Sequence, residues 1–284
     1  MTRKLDTRAV GLDVGMEFVR WLTGAENLHY GLWTGLDVSA GNLRAAQDAY
    51  TAKLFALLPE GQLRILDVGG GAGETAGKLC ALGHAVDIVV PSPALAARCR
   101  ENAKGAEVFQ TTYEAFEAAE ATYDVILFSE SFQYIPVEVS LPKSLAFLRP
   151  GGHVLLADCF RSDAFQRGYL HQPGGGHRLT AFRETLADSG FQVISEEDIT
   201  EAVAPSIDLE QGLYNAFGCS ITRIDTELHG KRPMVRWLVN RIYRLSLSQR
   251  RRDRLYQRLM EQTRTSEAFN KYNRYLMMKL RKAE

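Results

Sequence analysis

Cysteine is scarce in this sequence, and no apolar run is long enough to cross a membrane. The four cysteines form no C-x-x-C pair and no cluster with histidine at zinc-ligand spacing, which argues against a disulfide framework or a metal site. The first residues carry charges at Arg3, Lys4 and Asp6 where a secretory signal would be apolar. We therefore expect free thiols, no bound metal and a cytoplasmic location.

Net charge is also absent, because 34 Lys and Arg residues balance 34 Asp and Glu residues. The two signs are unevenly spread, since 16 basic and 4 acidic residues follow from Lys231 onward. Two interpretations of this basic stretch stay open. It is either a solvated face resting on an acidic body or a surface that attracts phosphate groups or an anionic membrane. Its aromatic residues recur at helical spacing, as core residues do, which argues against nucleic acid as a partner.

Short apolar runs alternate with helical patterns through the middle of the chain. Arg64–Val68, Tyr123–Ser129 and His153–Asp158 are typical of buried strands, and Pro150-Gly151-Gly152 predicts a turn before the last of them. Alternating strands and helices predict a parallel sheet with helices on both faces. The alternation stops in a helical stretch between about residues 199 and 270, after which Tyr275–Leu280 predicts a last strand.

A glycine-rich turn follows the first predicted strand. A dinucleotide fingerprint needs glycine where Glu74 stands, and a phosphate P-loop needs a Gly-Lys-Ser/Thr ending that is absent. The pattern acid-x-Gly-x-Gly-x-Gly is complete, with Asp67, Gly69, Gly71 and Gly73 in its four places. Glycines at such a turn let the backbone approach a ligand closely.

This turn resembles motif I of the class I S-adenosylmethionine-dependent methyltransferases. The segments Tyr123–Ile126 and Leu148–Leu155 follow in that family's order, and the resemblance covers roughly residues 60 to 195. It implies a Rossmann-like α/β fold, a doubly wound and mostly parallel seven-stranded sheet with helices on both faces and an α-helical lid before the last strand. The implied cofactor is S-adenosyl-L-methionine, with S-adenosyl-L-homocysteine as product.

We predict four segments on this basis. Residues 1–58 are a helical segment that covers the active site, and residues 59–198 are the cofactor-binding core. Residues 199–270 are a basic helical lid, and residues 271–284 hold the last strand of the core sheet.

The end of the second strand departs from the family pattern. Val90 stands where most members have an acid that binds the ribose, and Asp87 comes three residues too early, as a polar residue at the start of a strand. The departure is shared by a subset resembling gamma-tocopherol C-methyltransferases, cyclopropane fatty acid synthases and natural-product sugar O-methyltransferases. The segment His29–Trp33 resembles the loop that closes over the cofactor in that subset; its alternative is an aromatic packing loop.

The resemblance implies cofactor contacts from this loop, the glycine turn and the ends of the following strands. The predicted cofactor-binding residues are Asp67, Gly69, Gly70, Gly71, Gly73, Val90, Pro91, Ser92, Thr112, Tyr113, Glu114, Ser129, Tyr30 and Trp33.

Methyl transfer from a sulfonium depends mainly on proximity and orientation, and an oxygen or nitrogen nucleophile can also need a general base. Ligands in open α/β sheets lie beyond the carboxyl ends of the strands, which selects four catalytic candidates. Glu130 is either a base or an acceptor for backbone N–H groups, and Tyr134 either orients the acceptor or forms an aromatic wall. His171 is the better-placed base, while His177 follows three glycines where a surface position is the alternative.

Three functions remain open. The first is methylation of O, C or N on a small, apolar or amphipathic metabolite, favoured by apolar residues in the predicted lid (Leu213, Tyr214, Phe217 and Trp237). The second is a protein of the same fold that binds the cofactor without methylating, such as a cyclase or regulator. The third is a module that binds a membrane surface through the basic lid.

Overall fold

One seven-stranded sheet organises the computed structural model, which describes residues 7–166, 172–173 and 175–283. The strands are β1 Arg64–Val68, β2 Ala85–Val89, β3 Glu107–Phe109, β4 Tyr123–Ser129, β5 Leu148–Arg161, β6 Phe191–Asp198 and β7 Asn273–Lys282. Their order across the sheet is β3-β2-β1-β4-β5-β7-β6. Only β7 runs antiparallel to its neighbours β5 and β6.

Helices cover both faces of this sheet. In the first half of the chain they are α1 Thr7–Thr23, α2 Leu43–Phe55, α3 Glu74–Ala81, α4 Pro93–Asn102 and α5 Val137–Phe147. In the second half they are α6 Leu179–Ala187, α7 Thr200–Val203, α8 Pro205–Lys231, α9 Pro233–Ser246, α10 Gln249–Met260 and α11 Ser266–Tyr272. The predicted fold class is confirmed, including the helical segment inserted before the last strand.

β1 shows why the sheet is buried on both sides. Ile65 belongs to an apolar cluster that includes Tyr50 of α2, whereas Leu66 and Val68 belong to a second cluster on the opposite face. Successive side chains of a strand point to opposite faces, so a strand between two helical layers must be apolar throughout. The buried polar residue of β1 is Asp67, which lies near its carboxyl end and is 1% exposed, whereas Arg64 at its start is exposed.

The predicted turn at Pro150-Gly151-Gly152 is wrong, because β5 continues through it. Tyr123 pairs with Leu148, but the next paired residues are Val125 and His153, so the extra residues of β5 form a bulge. Gly151 has a φ of 71°, a conformation that glycine adopts without strain. The turn residues therefore interrupt the pairing of the strand without ending it.

Helices α7 to α11 fill the chain between β6 and β7. The start of α8 is buried, with Ile207 in the core, whereas α9 and α10 have no fully buried residue. Among the helices that the structure describes, none combines the length and the apolar character needed to cross a membrane.

Candidate functional site

A cavity of about 560 Å³ lies beyond the carboxyl ends of β1, β2 and β4. Parallel strands of an α/β sheet place their C-terminal loops at one edge, which makes this edge the usual ligand site. Thirteen predicted site residues line it: Asp67, Gly69, Gly70, Gly71, Val90, Pro91, Ser92, Thr112, Tyr113, Glu114, Ser129, Glu130 and Tyr134.

The glycine turn between β1 and α3 forms the floor of the cavity. The φ angles of Gly69, Gly71 and Gly73 are 75°, 54° and 88°, all in the left-handed region. The Gly69 N–H donates to the carbonyl of Val89 at 2.8 Å, which joins the turn to β2. A Cβ atom on Gly71 would meet no atom within 4 Å, so its α-carbon faces open space in the cavity.

Packing requires glycine at three positions of the turn, and Gly69 is one of them, because a Cβ atom there would overlap Cβ of Ser131. A Cβ atom on Gly70 would lie 2.7 Å from Oδ2 of Asp67 and 2.8 Å from the side chain of Ile88. A Cβ atom on Gly73 would lie 2.8 Å from the α-carbon of Cys99 in α4. Gly73 is absent from the cavity wall, and the structure places it at the contact between two helices.

Asp67 is the one residue of the turn with a polar side chain. Burial raises the pKa of its carboxyl from 3.8 to about 7, because no charged partner compensates the lost hydration. Its Oδ2 atom is buried and has no hydrogen-bond partner in the part of the chain that the structure describes. Since an unpaired buried acceptor is costly, this oxygen fits a donor or cation supplied by a ligand.

The cavity wall is acidic. Five carboxyl side chains line it, and the described wall includes no lysine or arginine. The five are Glu26, Asp67, Glu74, Glu114 and Glu130. Burial also lowers the pKa of the lining His29 to about 4, which leaves that ring neutral near pH 7. The absence of a basic side chain from the described wall disfavours the phosphates of a dinucleotide, and the unpartnered Asp67 oxygen can receive a cationic group.

The end of β2 lacks the acid that usually binds a ribose, as its sequence predicts. Val90 is buried and lines the cavity. Asp87 accepts hydrogen bonds from Arg64 at 3.0 Å and from the Tyr123 hydroxyl at 2.8 Å, so its carboxylate is engaged within the sheet. The Ser92 hydroxyl accepts from the N–H of Leu95 at 3.3 Å and caps α4.

The loop after β3 contributes unequally to the cavity. Thr112 and Glu114 are exposed and lie on the wall. Tyr113 also borders the cavity, but its hydroxyl lies 3.0 Å from that of Ser144, and its ring packs against Phe128. Its side chain therefore belongs to the second apolar cluster, which limits what it can offer to a base.

Hydrogen bonds to Glu130, which directly follows β4, hold the N-terminal loop that contains Tyr30. The Tyr30 N–H donates to Oε1 of Glu130 at 2.7 Å, and the Tyr275 hydroxyl donates to the same atom at 3.0 Å. The ring of Tyr30 itself packs against Phe269 and Tyr275. Tyr30 is absent from the cavity wall, and its backbone N–H is linked to the site through Glu130.

Trp33 lies away from this cavity. Its indole N–H donates to the Ser206 hydroxyl at 2.8 Å, and its backbone N–H donates to the carbonyl of Ala202. It borders a separate groove of about 720 Å³, where Lys53 and Glu197 form an ion pair. The structure therefore places Trp33 in the packing arrangement that is the alternative for this loop.

Comparison with known proteins decides the family. Residues 40–201, more than half of the chain, match the model of a family described as a methyltransferase domain. The chain belongs to this methyltransferase family. The resemblance predicted from the sequence is thereby confirmed, as is S-adenosylmethionine as the cofactor that the family uses.

Solved structures share the fold of this methyltransferase domain at low sequence identity. A cyclopropane synthase from Mycobacterium tuberculosis has 16% identity and a TM-score of 0.68, covering 99% of this chain and 100% of its own. A geranyl diphosphate C-methyltransferase from Streptomyces coelicolor has 13% identity and a TM-score of 0.64, covering 94% and 92%. A 4+2 cyclase has 16% identity and a TM-score of 0.66, covering 97% and 95%.

The catalytic candidates of the methyltransferase domain fall into three groups. Glu130 and Tyr134 line the cavity, and Tyr134 is 57% exposed at its edge. The His177 ring donates from Nε2 to the Phe132 carbonyl at 3.1 Å and is absent from the wall. His171 lies outside the described residues.

The structure adds residues that the sequence analysis missed. A chain of hydroxyls joins Ser129 to Tyr50 at 3.2 Å and Tyr50 to Tyr275 at 2.8 Å, and Tyr275 reaches Glu130. No local signal marks Tyr50 or Tyr275, because each lies in an element whose pattern is explained by burial alone. No sequence motif marks Glu26 either, although it borders the cavity and forms an ion pair with Arg98 at 2.7 Å.

Proposed function

We propose that this protein transfers a methyl group from S-adenosylmethionine to O, C or N of a small, apolar or amphipathic metabolite. The observation that carries the proposal is the acidic cavity at the glycine turn, with its unpartnered Asp67 oxygen. S-adenosylmethionine bears a sulfonium, an ammonium and a carboxylate, and therefore a net positive charge. The charge and the position of the cavity fit S-adenosylmethionine better than they fit a dinucleotide.

In this proposal the chain's residues bind and orient. Asp67 holds the ammonium end of the cofactor directly or through water, and Gly71 lets the backbone approach it. Val90 and Pro91 provide an apolar edge, with Thr112 and Glu114 beside the base. When bound, the cofactor supplies an electrophilic methyl group on a sulfonium, an excellent leaving group.

The cavity wall also includes Leu28, Tyr134 and Ile135, which in this proposal contact the acceptor. These side chains favour an apolar or amphipathic molecule and exclude water from the transfer. The apolar lid residues that suggested the same acceptor class do not line this cavity, and Phe217 and Trp237 are exposed.

Glu130 acts in this proposal as the fastening of the N-terminal loop. Burial raises the pKa of its carboxyl from 4.5 to about 8. The hydrogen bonds from the Tyr30 N–H and the Tyr275 hydroxyl lower this pKa and offset part of the rise. A carboxyl that holds its proton near pH 7 is a poor general base. Proximity and orientation are then the main contributions of the chain to methyl transfer.

The test is calorimetric titration followed by turnover. We expect heat with S-adenosylmethionine and S-adenosylhomocysteine and none with NAD. Transfer of labelled methyl to at least one member of a panel of fatty acids, isoprenoids and polyketides should follow. Binding of NAD in place of the sulfonium nucleoside would overturn the proposal.

A cyclase or other non-methylating protein is the second candidate, because a 4+2 cyclase shares this fold. It predicts the same binding heats, no labelled product with any acceptor, and conversion of a polyene without consumption of the cofactor. The two candidates are therefore separated by product analysis rather than by binding.

A further inference from the structure

Helix α9 is turned with its apolar side toward solvent. Its outer face consists of five apolar residues, which are Met234, Val235, Leu238, Ile242 and Leu245, with exposures of 78%, 47%, 51%, 54% and 77%. On the opposite side of the helix, Arg236 forms a two-pronged ion pair with Asp225 of α8, with distances of 2.8 and 2.9 Å. The polar side of α9 thus contacts the protein, and the apolar side does not.

This orientation is the reverse of the usual one. A surface helix normally buries its apolar stripe against the core and exposes its charges. Contiguous exposed apolar surface of this kind marks a place where a protein meets a partner or a membrane. Since α8 already occupies the polar side of α9, repacking onto α8 would have to break the Arg236–Asp225 pair.

The chain segment that contains the outer face is basic. Residues 232–260 contain nine arginines and one acidic residue, Asp253. Arg236 is the one member of this set with a carboxylate within ion-pair distance in the described chain; the other eight, among them Arg241, Arg251 and Arg254, have none. The guanidinium of Arg241 lies 5.7 Å from the ring centroid of Trp237, which is 62% exposed at the border of the outer face.

We propose that α9 docks onto an anionic lipid membrane, lying in the plane of its surface. The outer face enters the boundary between headgroups and acyl chains, Trp237 lies at that boundary, and the arginines contact lipid phosphates. The occupant is a bilayer rather than α9 of a second copy, because pairing two such faces would bring two sets of unpaired arginines together. A bilayer offers apolar depth and negative charge at once.

This inference goes beyond the proposed function and does not depend on it. The residues that carry it are absent from the cavity wall at the glycine turn. If both hold, the protein works at the surface where an apolar acceptor accumulates.

The experiment is co-sedimentation of the full chain with vesicles. We expect binding to phosphatidylcholine vesicles that contain phosphatidylglycerol to exceed binding to pure phosphatidylcholine by about tenfold, and to fall as salt rises. The variant Leu238→Glu/Ile242→Glu should lose this binding. Its matched control is Leu82→Glu, because Leu82 is 62% exposed at the end of α3 and should leave binding unchanged.

A second pair of variants separates charge from folding. Arg251→Glu/Arg254→Glu should weaken binding to anionic vesicles about tenfold or more, whereas Lys104→Glu, on an exposed turn outside α9, should not. Circular dichroism should be unchanged in all four. Equal binding to neutral and anionic vesicles, or none to either, would overturn the proposal. So would a wild-type dimer, detected by sedimentation velocity without lipid, that Leu238→Glu/Ile242→Glu converts to monomer.

Discussion

Oε1 of Glu130 lies 2.7 Å from the backbone nitrogen of Tyr30 and accepts its hydrogen bond. The contact joins the loop after α1 to the end of β4, two segments that are distant along the chain. Glu130 itself has a φ of 57°, which is unusual for a residue with a side chain. A strained backbone at the edge of a cavity persists only where its surroundings hold it, and the bonds to Tyr30 and Tyr275 do so here.

Replacing Glu130 tests this fastening. Glu130→Ala should lower the free energy of unfolding by about 1–3 kcal/mol, because the Tyr30 N–H and the Tyr275 hydroxyl lose their acceptor. Glu130→Gln retains an acceptor oxygen and should keep kcat within about tenfold of wild type. Urea unfolding and steady-state kinetics measure the two effects. A fall in kcat of about a thousandfold in Glu130→Gln, with stability unchanged, would instead identify a general base.

Asp67 should make the ligand-free protein less stable as pH rises. Its folded pKa of about 7 exceeds its ordinary value of 3.8, so the folded state holds a proton that the unfolded chain releases between these values. Stability from this group is therefore present below about pH 4 and is lost as pH rises to about 7. Asp67→Asn should be more stable than wild type by on the order of 2–4 kcal/mol at about pH 8, with little difference at about pH 4.

The same substitution should weaken cofactor binding. Asp67→Asn removes the carboxylate proposed to hold the ammonium group, and we expect affinity for S-adenosylhomocysteine to fall about tenfold or more. Calorimetry at two pH values adds a second readout: wild-type affinity should rise between about pH 6 and about pH 8, and that of the variant should not. Equal slopes in the two proteins would remove Asp67 from the site.

Gly70→Ala should damage the glycine turn, because a Cβ atom would lie 2.7 Å from Oδ2 of Asp67 and 2.8 Å from Ile88. We expect a loss of about 1–3 kcal/mol in stability and at least about a tenfold loss in cofactor affinity. Gly212→Ala is the matched control, since a Cβ atom on Gly212 in α8 meets nothing within 4 Å. In the control, stability should rise by about 0.5–1 kcal/mol with affinity unchanged.

Trp33→Phe should affect stability rather than cofactor binding. The substitution removes the indole N–H that donates to Ser206 at 2.8 Å, which should cost about 1 kcal/mol. Because Trp33 borders the groove beside Lys53 and not the glycine turn, calorimetric affinity for S-adenosylhomocysteine should stay within about twofold. A large loss of affinity for S-adenosylhomocysteine, with little change in the free energy of unfolding, would instead identify Trp33 as a cofactor-binding residue.

The sequence predicts a strand well where its apolar pattern matches its burial in the sheet. β1 and β4 begin and end at the predicted residues, Arg64–Val68 and Tyr123–Ser129, because both are buried on two faces and read as continuous apolar runs. The last residues of β6, up to Asp198, are acidic and exposed. No apolar alternation marks such residues, and only pairing with β7 makes them a strand.

The sequence predicts the glycine turn and the strand ends that line the candidate site, but not the contacts of the N-terminal loop. The glycine turn is a local motif, and its residues can be read in order. The contact of Trp33 with Ser206, by contrast, depends on how the N-terminal loop meets α8, a tertiary choice that no spacing in the sequence records. The same reason hides the bonds that Tyr50 and Tyr275 make to each other and to Glu130.

The place of β7 in the sheet bears on the order of assembly. β7 lies between β5 and β6, yet it follows β6 only after the whole of residues 199–272. During synthesis, one edge of β5 therefore stays unpaired, and β6 has no strand to pair with, until that stretch and β7 have been made. A chain arrested within α9 or α10 would expose this open edge, making the nascent protein a substrate for chaperones at that stage.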